Sequence, residues 1–175
     1  IRVQGPNRDL HSGVYGGGVA NPGNALAEII ASLRDSKTGR VKVPGFYDGI
    51  VKPTKKERAD FKRSGFTVRR FRKDNRVRLL RSENALEVME RLWTRPTFEV
   101  HGLAGGHQGP GLKSIVPARG ELKASCRLVP GQDPERVAAL VVAFARKHNP
   151  DVVAQVTPGG SAAAASVHSD SAKAQ

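Results

Sequence analysis

The chain has 175 residues, of which 38% are hydrophobic and 26% are charged, a composition that suits one domain with a packed core. Its 29 basic residues outnumber its 16 acidic ones and give a net charge of +13, which favours anionic partners. The single cysteine, Cys126, excludes an internal disulfide, and no apolar run approaches the roughly 18 residues of a membrane span, so we expect a cytoplasmic protein without a membrane partner.

A short strand and a glycine-rich loop open the chain. The strand is predicted over Ile1–Val3, and because the chain starts there without an initiator Met we expect a fragment of a longer protein. The loop that follows places Asp9, His11 and Ser12 just before a run of glycines. Glycine lets a backbone approach a ligand closely and leaves N–H groups free, so we expect a ligand-facing loop.

The first helix is predicted to begin at Asn21-Pro22, where a capping side chain precedes a proline at the first helical position. It should end at Lys37–Gly39. Its apolar residues share one helical face: Ala25, Leu26, Ile29, Ile30 and Leu33. We therefore expect this helix to cover the core.

A basic helical insertion is predicted over 46–95. Thr54 and Glu57 have the spacing of a capping box, which starts a short polar helix. Ser82 or Asn84 can cap a further helix. The apolar face of that helix is predicted to contain Ala85, Leu86, Met89, Leu92 and Trp93.

Between Lys62 and Arg81 the insertion carries nine basic residues and one acidic residue, Asp74. Such a run indicates either a polyanion site or a solvated surface. Aromatic residues are only 5% of the chain, which argues against a platform that stacks nucleic-acid bases.

Two strands and a second helix are predicted after the insertion. Thr97–Leu103 and Glu121–Leu128 alternate in polarity, the second with Leu122, Ala124, Cys126 and Leu128 inward, and the first with Phe98 and Val100 on one side. Cys126 is accordingly expected to be a small core residue rather than a reactive thiol. Asp133-Pro134 starts a helix whose apolar stripe is Val137, Leu140, Val141, Phe144 and Ala145.

A last strand is predicted over Val152–Val156, and 159–175, rich in Gly, Ser and Ala, should be a linker or disordered tail. The main elements thus run strand, helix, strand, strand, helix, strand over 1–158. This order predicts an α+β fold of the ferredoxin-like split βαβ type, with a four-stranded antiparallel sheet and both main helices on one face.

Three motifs carry a resemblance to a known family: Asp9-Leu10-His11-Ser12-Gly13, Val43-Pro44-Gly45-Phe46-Tyr47-Asp48 and Arg127-Leu128-Val129-Pro130. From Gly5 to about Pro130 the chain resembles the lid, or dimerisation, domain of the zinc-dependent exopeptidases, which include aminoacylases, glutamate carboxypeptidases and carnosine-type dipeptidases. The resemblance implies the same α+β fold and a homodimeric parent enzyme that hydrolyses dipeptides or N-acyl amino acids.

The resemblance also implies roles for three side chains. His11 matches a histidine that reaches the partner subunit's active site and hydrogen-bonds the scissile carbonyl oxygen as negative charge develops, a role that an imidazole N–H can fill. Arg127 matches an arginine that clamps the substrate's terminal carboxylate, which suits guanidinium geometry. Ser114 stands where close relatives carry a threonine near that carboxylate, and is a weaker substrate-binding candidate. The alternative for Arg127 is a surface ion pair with Glu121 or Glu99.

In this family two zinc ions are held by the catalytic domain. The present chain has no Glu-Glu pair, and its one H-x-D triplet, His168-Ser169-Asp170, lies in the Ala-rich tail. A catalytic zinc needs at least three protein ligands, so we expect no metal site here and no hydrolysis by this chain alone. Two alternative functions stay open: a basic nucleic-acid-binding domain that uses Lys62 to Arg81, and a purely structural dimerisation module.

Overall fold

The computed structural model describes residues 1–149 and 152–153. The predicted tail over 159–175, its H-x-D triplet and the end of the predicted last strand lie outside the described residues. The described chain divides into two compact units. The first contains Ile1–Phe46, Phe98–Cys126 and the described residues from Pro134 onward, and the second contains Tyr47–Thr97 and Arg127–Asp133.

The described residues form six strands and six helices. In chain order they are β1 (Arg2–Gln4), β2 (Leu10–His11), α1 (Ser12–Tyr15), α2 (Pro22–Leu33), α3 (Lys55–Arg63), α4 (Val68–Asn75), α5 (Ala85–Trp93), β3 (Thr97–Gly105), β4 (Ile115–Val116), β5 (Arg119–Arg127), α6 (Pro134–His148) and β6 (Val152–Val153). No described helix has both the length and the apolar character that crossing a bilayer requires.

The strands form two sheets. In the larger one the hydrogen-bonded order is β3, β5, β1, β6. Strand β1 runs antiparallel to β5, with Arg2 opposite Glu121, and antiparallel to β6, with Val3 opposite Val152. The smaller sheet pairs β2 with β4, also antiparallel. The predicted α+β class is therefore confirmed, whereas the small second sheet was not predicted.

The core of the first unit lies where α2 packs against α6 and β1. Helix α2 begins as predicted, because the Asn21 side chain accepts a hydrogen bond from the backbone N–H of Gly23 at 2.9 Å and Pro22 follows the cap. It ends at Leu33, where Arg34 turns extended, and so stops short of the predicted Lys37. Its buried apolar residues are Ala25, Leu26, Ile29 and Leu33, and each large one stabilises the fold by about 1.5–3 kcal/mol.

Gly120 of β5 lets α2 approach the sheet. A Cβ atom at this position would lie 2.7 Å from Cδ1 of Leu26 and 3.3 Å from the carbonyl oxygen of Pro22. Any larger residue would push the helix away from the strand, so the close helix–sheet contact depends on this glycine.

One residue of the long strands that was predicted to face inward is not buried. Leu122 is buried, as expected, but Ala124 is exposed, and Val100 is 40% exposed although Phe98 on the same side is buried. The alternation fixes only which residues share a face, and burial also needs an element packed over that part of the face. Cys126 is partly buried, and burial raises the pKa of its thiol to about 11, so it carries little thiolate at neutral pH.

The second unit is built from α3, α4 and α5. The predicted capping box is present: the N–H of Glu57 donates to the Thr54 hydroxyl at 3.2 Å, and the N–H of Thr54 donates to the Glu57 carboxylate at 2.7 Å. Of the two candidate caps for α5, Asn84 is the one used, because its side chain accepts from the N–H of Glu87. Helix α4 lies inside the basic run, where no helix was predicted.

The predicted apolar face of α5 needs a correction. Met89 is buried as expected, but Trp93 is half exposed and Glu90 is buried, at 8% exposure. The Glu90 carboxylate is tolerated there because Arg58 and Arg95 each approach one of its oxygens to 2.8 Å, and buried charges need such partners. Helical spacing could not reveal this, since it predicts which positions face inward and not which charges can be paired there.

Candidate functional site

The first motif folds into a small structure made of β2, α1 and β4, here named the histidine motif. Leu10 lies opposite Val116 and His11 opposite Ile115 in the antiparallel pair. The pairing is extended by the N–H of Ser12, which donates to the carbonyl oxygen of Ser114 at 3.0 Å. A segment near the N-terminus is thereby fixed to one that follows it by about a hundred residues.

Asp9 acts as an anchor of the histidine motif. Its Oδ1 atom accepts a hydrogen bond from the backbone N–H of Ala118 at 2.9 Å. The carbonyl of the same Ala118 accepts from the N–H of Gly5 at 2.8 Å and from the Gln4 side chain at 3.0 Å. Asp9 therefore ties the start of the motif to the segment that enters β5, a role for which the sequence carried no signal beyond its place in the motif.

The imidazole of His11 caps helix α1. Its Nδ1 atom accepts a hydrogen bond from the backbone N–H of Gly13 at 3.0 Å. Because a neutral imidazole has one donor and one acceptor nitrogen, this bond assigns the proton to Nε2. The His11 side chain is exposed, so the motif presents an Nε2–H donor at the surface.

Glycine is required where α1 ends. The N–H of Gly16 donates to the carbonyl oxygen of Ser12 at 2.8 Å, and a Cβ atom on Gly16 would lie only 2.4 Å from that oxygen. Between these residues Val14 and Tyr15 are both exposed. Helix α1 thus exposes two apolar side chains within a few residues of His11 and Ser12.

Ser114 lies at the start of the strand that faces His11. It is exposed, and its backbone is fixed by the bond to Ser12. Within residues 1–149 and 152–153 its hydroxyl has no hydrogen-bond partner, which leaves it free for a ligand. The structure therefore places two of the three predicted site residues close together, with His11 in β2 and Ser114 directly before its partner strand β4.

Arg127, the third predicted residue, is the last residue of β5 and belongs to the second unit. Its side chain is exposed, and Nη2 donates to the carbonyl oxygen of Arg91 over 3.4 Å, a long and weak bond. The alternative ion pairs are not formed, because Glu121 pairs with Arg2 at 3.2 Å and Glu99 with Arg34 at 3.9 Å. Among the described residues, most of the guanidinium donors of Arg127 therefore have no partner and can meet an anion.

The described residues do not fit a catalytic zinc. Among them no group of three His, Cys, Asp or Glu side chains is placed to hold a metal ion, and a catalytic zinc takes three protein ligands. The chemistry on offer here is hydrogen bonding from His11 Nε2, from the Ser114 hydroxyl and from the Arg127 guanidinium.

Comparison with known proteins gives one family and several relatives. Residues 1–153 match the family described as peptidase dimerisation domain. The chain is 32% identical to a Cys-Gly metallodipeptidase of Saccharomyces cerevisiae over 139 residues, covering 79% of this chain and 29% of the relative. It is 34% identical to the human Beta-Ala-His dipeptidase over 130 residues, covering 74% of this chain and 25% of the relative. The chain thus spans less than a third of the length of these relatives.

Solved structures agree with the sequence matches. Human carnosine dipeptidase 1 superimposes with a TM-score of 0.78 at 31% identity, over 84% of this chain and 31% of that one. A metallo-carboxypeptidase of the M20 family from Sulfolobus solfataricus gives a TM-score of 0.76 at 35% identity, over 84% of this chain and 38% of that one. In both cases the similarity covers the larger part of the present chain and the smaller part of the other protein.

Proposed function

The chain belongs to the peptidase dimerisation domain family, and on that premise we propose that it is the lid, or dimerisation, domain of a zinc-dependent exopeptidase. The observation that carries the proposal is the match over residues 1–153, together with relatives named as dipeptidases and metallo-carboxypeptidases. The parent enzyme would hydrolyse dipeptides or N-acyl amino acids in the cytoplasm. Its two zinc ions would be held by a catalytic domain, because the donor set described here does not fit them.

His11 would donate its Nε2–H to the scissile carbonyl oxygen in the active site of the partner subunit. The bond from Gly13 supports this role, because it leaves the outer ring nitrogen as the donor. A donor aimed at an oxygen that gains negative charge lowers the barrier, because the hydrogen bond strengthens in the transition state. The fixed ring also avoids reorganisation during the reaction, which is the main advantage of a preorganised donor.

Arg127 and Ser114 would bind the substrate's terminal carboxylate. In the part of the chain that the structure describes, the exposed guanidinium of Arg127 has only the long bond to the Arg91 carbonyl, so a bidentate pair with a carboxylate can form. The hydroxyl of Ser114 can add one further hydrogen bond. This pair of contacts would favour substrates with a free C-terminal carboxylate.

The domain would join two subunits into a homodimer. Strand β3 is at one end of the larger sheet, and its apolar residues Val100 and Leu103 are 40% and 59% exposed. An open strand edge with exposed apolar side chains is a favourable surface for pairing with a second chain. Helix α2 is the alternative surface, since the family's lid domains pair in the dimer.

Two finer points of architecture belong to the proposal. The strand order β3, β5, β1, β6 with α2 and α6 as the two main helices supports the ferredoxin-like split βαβ arrangement. We also retain 1–158 as the lid domain, with 46–95 as a helical insertion and 159–175 as a linker or tail.

Subunit complementation in the parent enzyme tests the role of His11. A His11→Ala subunit is mixed with a subunit that lacks the general base of its catalytic domain, each inactive as a homodimer. If His11 serves the partner's site, the heterodimer has one site with both groups and one with neither, so activity returns. Absence of activity, despite subunit exchange shown by differently tagged chains, would mean that His11 acts within its own subunit or only structurally.

A further inference from the structure

Helix α4 carries a line of cations that the peptidase role does not use. Arg69 and Lys73 are four residues apart on one side of the helix, and Arg76 follows directly after the helix as its C-terminal cap. At about 1.5 Å of rise per residue their Cα atoms are spread over roughly 10 Å. All three side chains are exposed, and we call this surface the basic face.

The cations of the basic face lack carboxylate partners, whereas their neighbours have them. Arg70 pairs with Asp74 at 3.4 Å, and Arg72 forms an ion pair with Glu83. No acidic group in the part of the chain that the structure describes lies within salt-bridge distance of the three face residues. Their charge is therefore balanced only by solvent ions, which a polyanion can displace.

One charge of the basic face works against helix α4. No acidic residue stands in the first turn, so Arg69 lies at the positive end of the helix dipole. Arg69 and Lys73 are also a like-charge pair at i, i+4 spacing, which is destabilising. Lys73 stands in the last turn, where a cation is favourable, so helix stability accounts for Lys73 but not for Arg69.

The backbone conformation of Arg76 adds a further free-energy cost. It caps the helix in the left-handed conformation with φ of 50°, and its N–H donates to the carbonyls of Arg72 and Lys73. It is the one non-glycine residue with positive φ among those described. Glycine or asparagine is the usual choice at such a cap, so here a long cation occupies a position that favours a small residue.

The aromatic rings of the second unit pack against one another. Phe71 of α4 lies 5.5 Å from Phe66, and Phe66 lies 6.3 Å from Trp93 between ring centroids. The apolar side of α4 is thus engaged in this cluster, while a membrane-surface helix needs its apolar side free. A surface of cations without exposed aromatic rings favours contacts to phosphates over base stacking.

We propose that the basic face binds the phosphate backbone of nucleic acid, without selection of sequence. A linear array of phosphates matches a linear array of cations, and guanidinium groups fit phosphate oxygens well. Binding is driven by the release of condensed counterions, so it weakens steeply with salt. This activity is independent of the proposed peptidase role.

The test is fluorescence anisotropy of the 175-residue chain with labelled single-stranded and duplex oligonucleotides of mixed sequence, about 20 nucleotides long, over about 50–200 mM salt. In the face variant the three cations become glutamine: Arg69→Gln, Lys73→Gln and Arg76→Gln. The control variant removes the same charge from exposed lysines elsewhere: Lys37→Gln, Lys42→Gln and Lys147→Gln. We expect the face variant to bind about tenfold more weakly or worse, with the duplex salt slope reduced by about 2 to 3.

Equal weakening in the face and control variants would overturn the proposal, because the effect would then be general charge. Displacement of the oligonucleotide by poly-glutamate at equal charge would overturn it in favour of an acidic protein partner. Sedimentation of the wild type, but not of the face variant, with phosphatidylserine vesicles that outcompete the oligonucleotide would overturn it in favour of a membrane surface.

A single substitution separates binding from folding. Arg76→Gly removes one cation and relieves the left-handed cap, so we expect weaker oligonucleotide binding with an unchanged or higher Tm. If Arg76 has a purely structural role, Arg76→Gly should leave oligonucleotide binding unchanged. That result would also count against the basic face as the binding surface.

Discussion

The Nδ1 atom of His11 accepts the backbone N–H of Gly13 at 3.0 Å, so the ring is held by the first turn of the helix that it caps. The neutral ring must then carry its proton on Nε2. We expect ¹⁵N NMR of the ring, at about pH 8.5 where histidines are neutral, to show a protonated Nε2 and an unprotonated Nδ1. The opposite tautomer would contradict the proposed donor.

Two glycine substitutions test the same tautomer assignment, one that should disturb the His11 ring and one that should not. In Gly13→Ala the new Cβ would lie 2.8 Å from Cε1 of His11, so the ring must move and we expect mixed tautomers. In Gly18→Ala the nearest atom is the Tyr15 carbonyl oxygen at 3.6 Å, an ordinary contact, and the wild-type tautomer should persist.

Kinetics of the parent enzyme should separate His11 from Arg127. His11→Ala should lower kcat by about 100- to 1000-fold with little change in KM, because an oxyanion donor acts mainly in the transition state. Arg127→Ala should instead raise KM, and only for substrates with a free terminal carboxylate. Equal losses for substrates with an amidated C-terminus would remove Arg127 from carboxylate binding.

The chain alone should neither retain zinc nor cleave peptides. Its described residues do not bring three metal-binding side chains together, and weaker sets do not hold a catalytic zinc. Metal analysis after dialysis against a weak chelator, with a dipeptide hydrolysis assay, checks this. Stoichiometric zinc or measurable turnover would show that ligands lie outside the described residues.

Self-association should depend on the edge of strand β3. Replacement of Val100 and Leu103 by lysine places two charges on that edge, which disfavours strand pairing, so sedimentation velocity should show a shift from dimer to monomer. Val51→Lys is the control, because Val51 is 75% exposed but lies outside strand β3. If the edge variant stays dimeric, while Ala27→Glu on the exposed side of α2 does not, the first helix is the contact surface.

Acid should weaken the second unit through Glu87. A hydrogen bond from the Ser82 hydroxyl, at 2.8 Å, and then one from Arg91 hold the pKa of Glu87 below its usual 4.5. A lowered folded-state pKa stabilises the fold above pH 4.5, and this contribution is lost as the pH falls through the folded value. Ser82→Ala should therefore cost about 0.5 kcal/mol at neutral pH and less at about pH 3, in chemical denaturation. Ser125→Ala, at an exposed strand position, should show no such pH dependence.

Local signals in the sequence predicted the elements that depend on neighbours in the chain. The Asn21 cap and the Thr54 capping box both lie within a few residues of their partners, and both form as predicted. Helix α4 was not predicted because its many charged residues leave no periodic apolar pattern, although Thr67 caps it. The pairing of β2 with β4 was not predicted, because strands of two residues are too short to show an alternating pattern and the two segments are far apart in the chain.

The candidate site was also predicted only in part. His11 could be named from its motif and Ser114 from the family resemblance, but the pairing that brings their segments together could not be foreseen. The tautomer of His11 depends on one backbone hydrogen bond from Gly13. Histidine is not among the residues that usually cap helices, so the sequence carries no signal for this bond.

The anchor from Asp9 to Ala118 joins residues that are 109 positions apart, and β1 pairs with β5 across a similar distance. On the ribosome, at about 5–20 residues per second, the second partner emerges several seconds after the first. During this interval helices α3, α4 and α5 can form from local contacts, while β1 and the apolar side of α2 have no sheet to join. A nascent chain that stops before Ile115 would contain β2 and α1. It would lack β4, which pairs with β2, and β5, which pairs with β1.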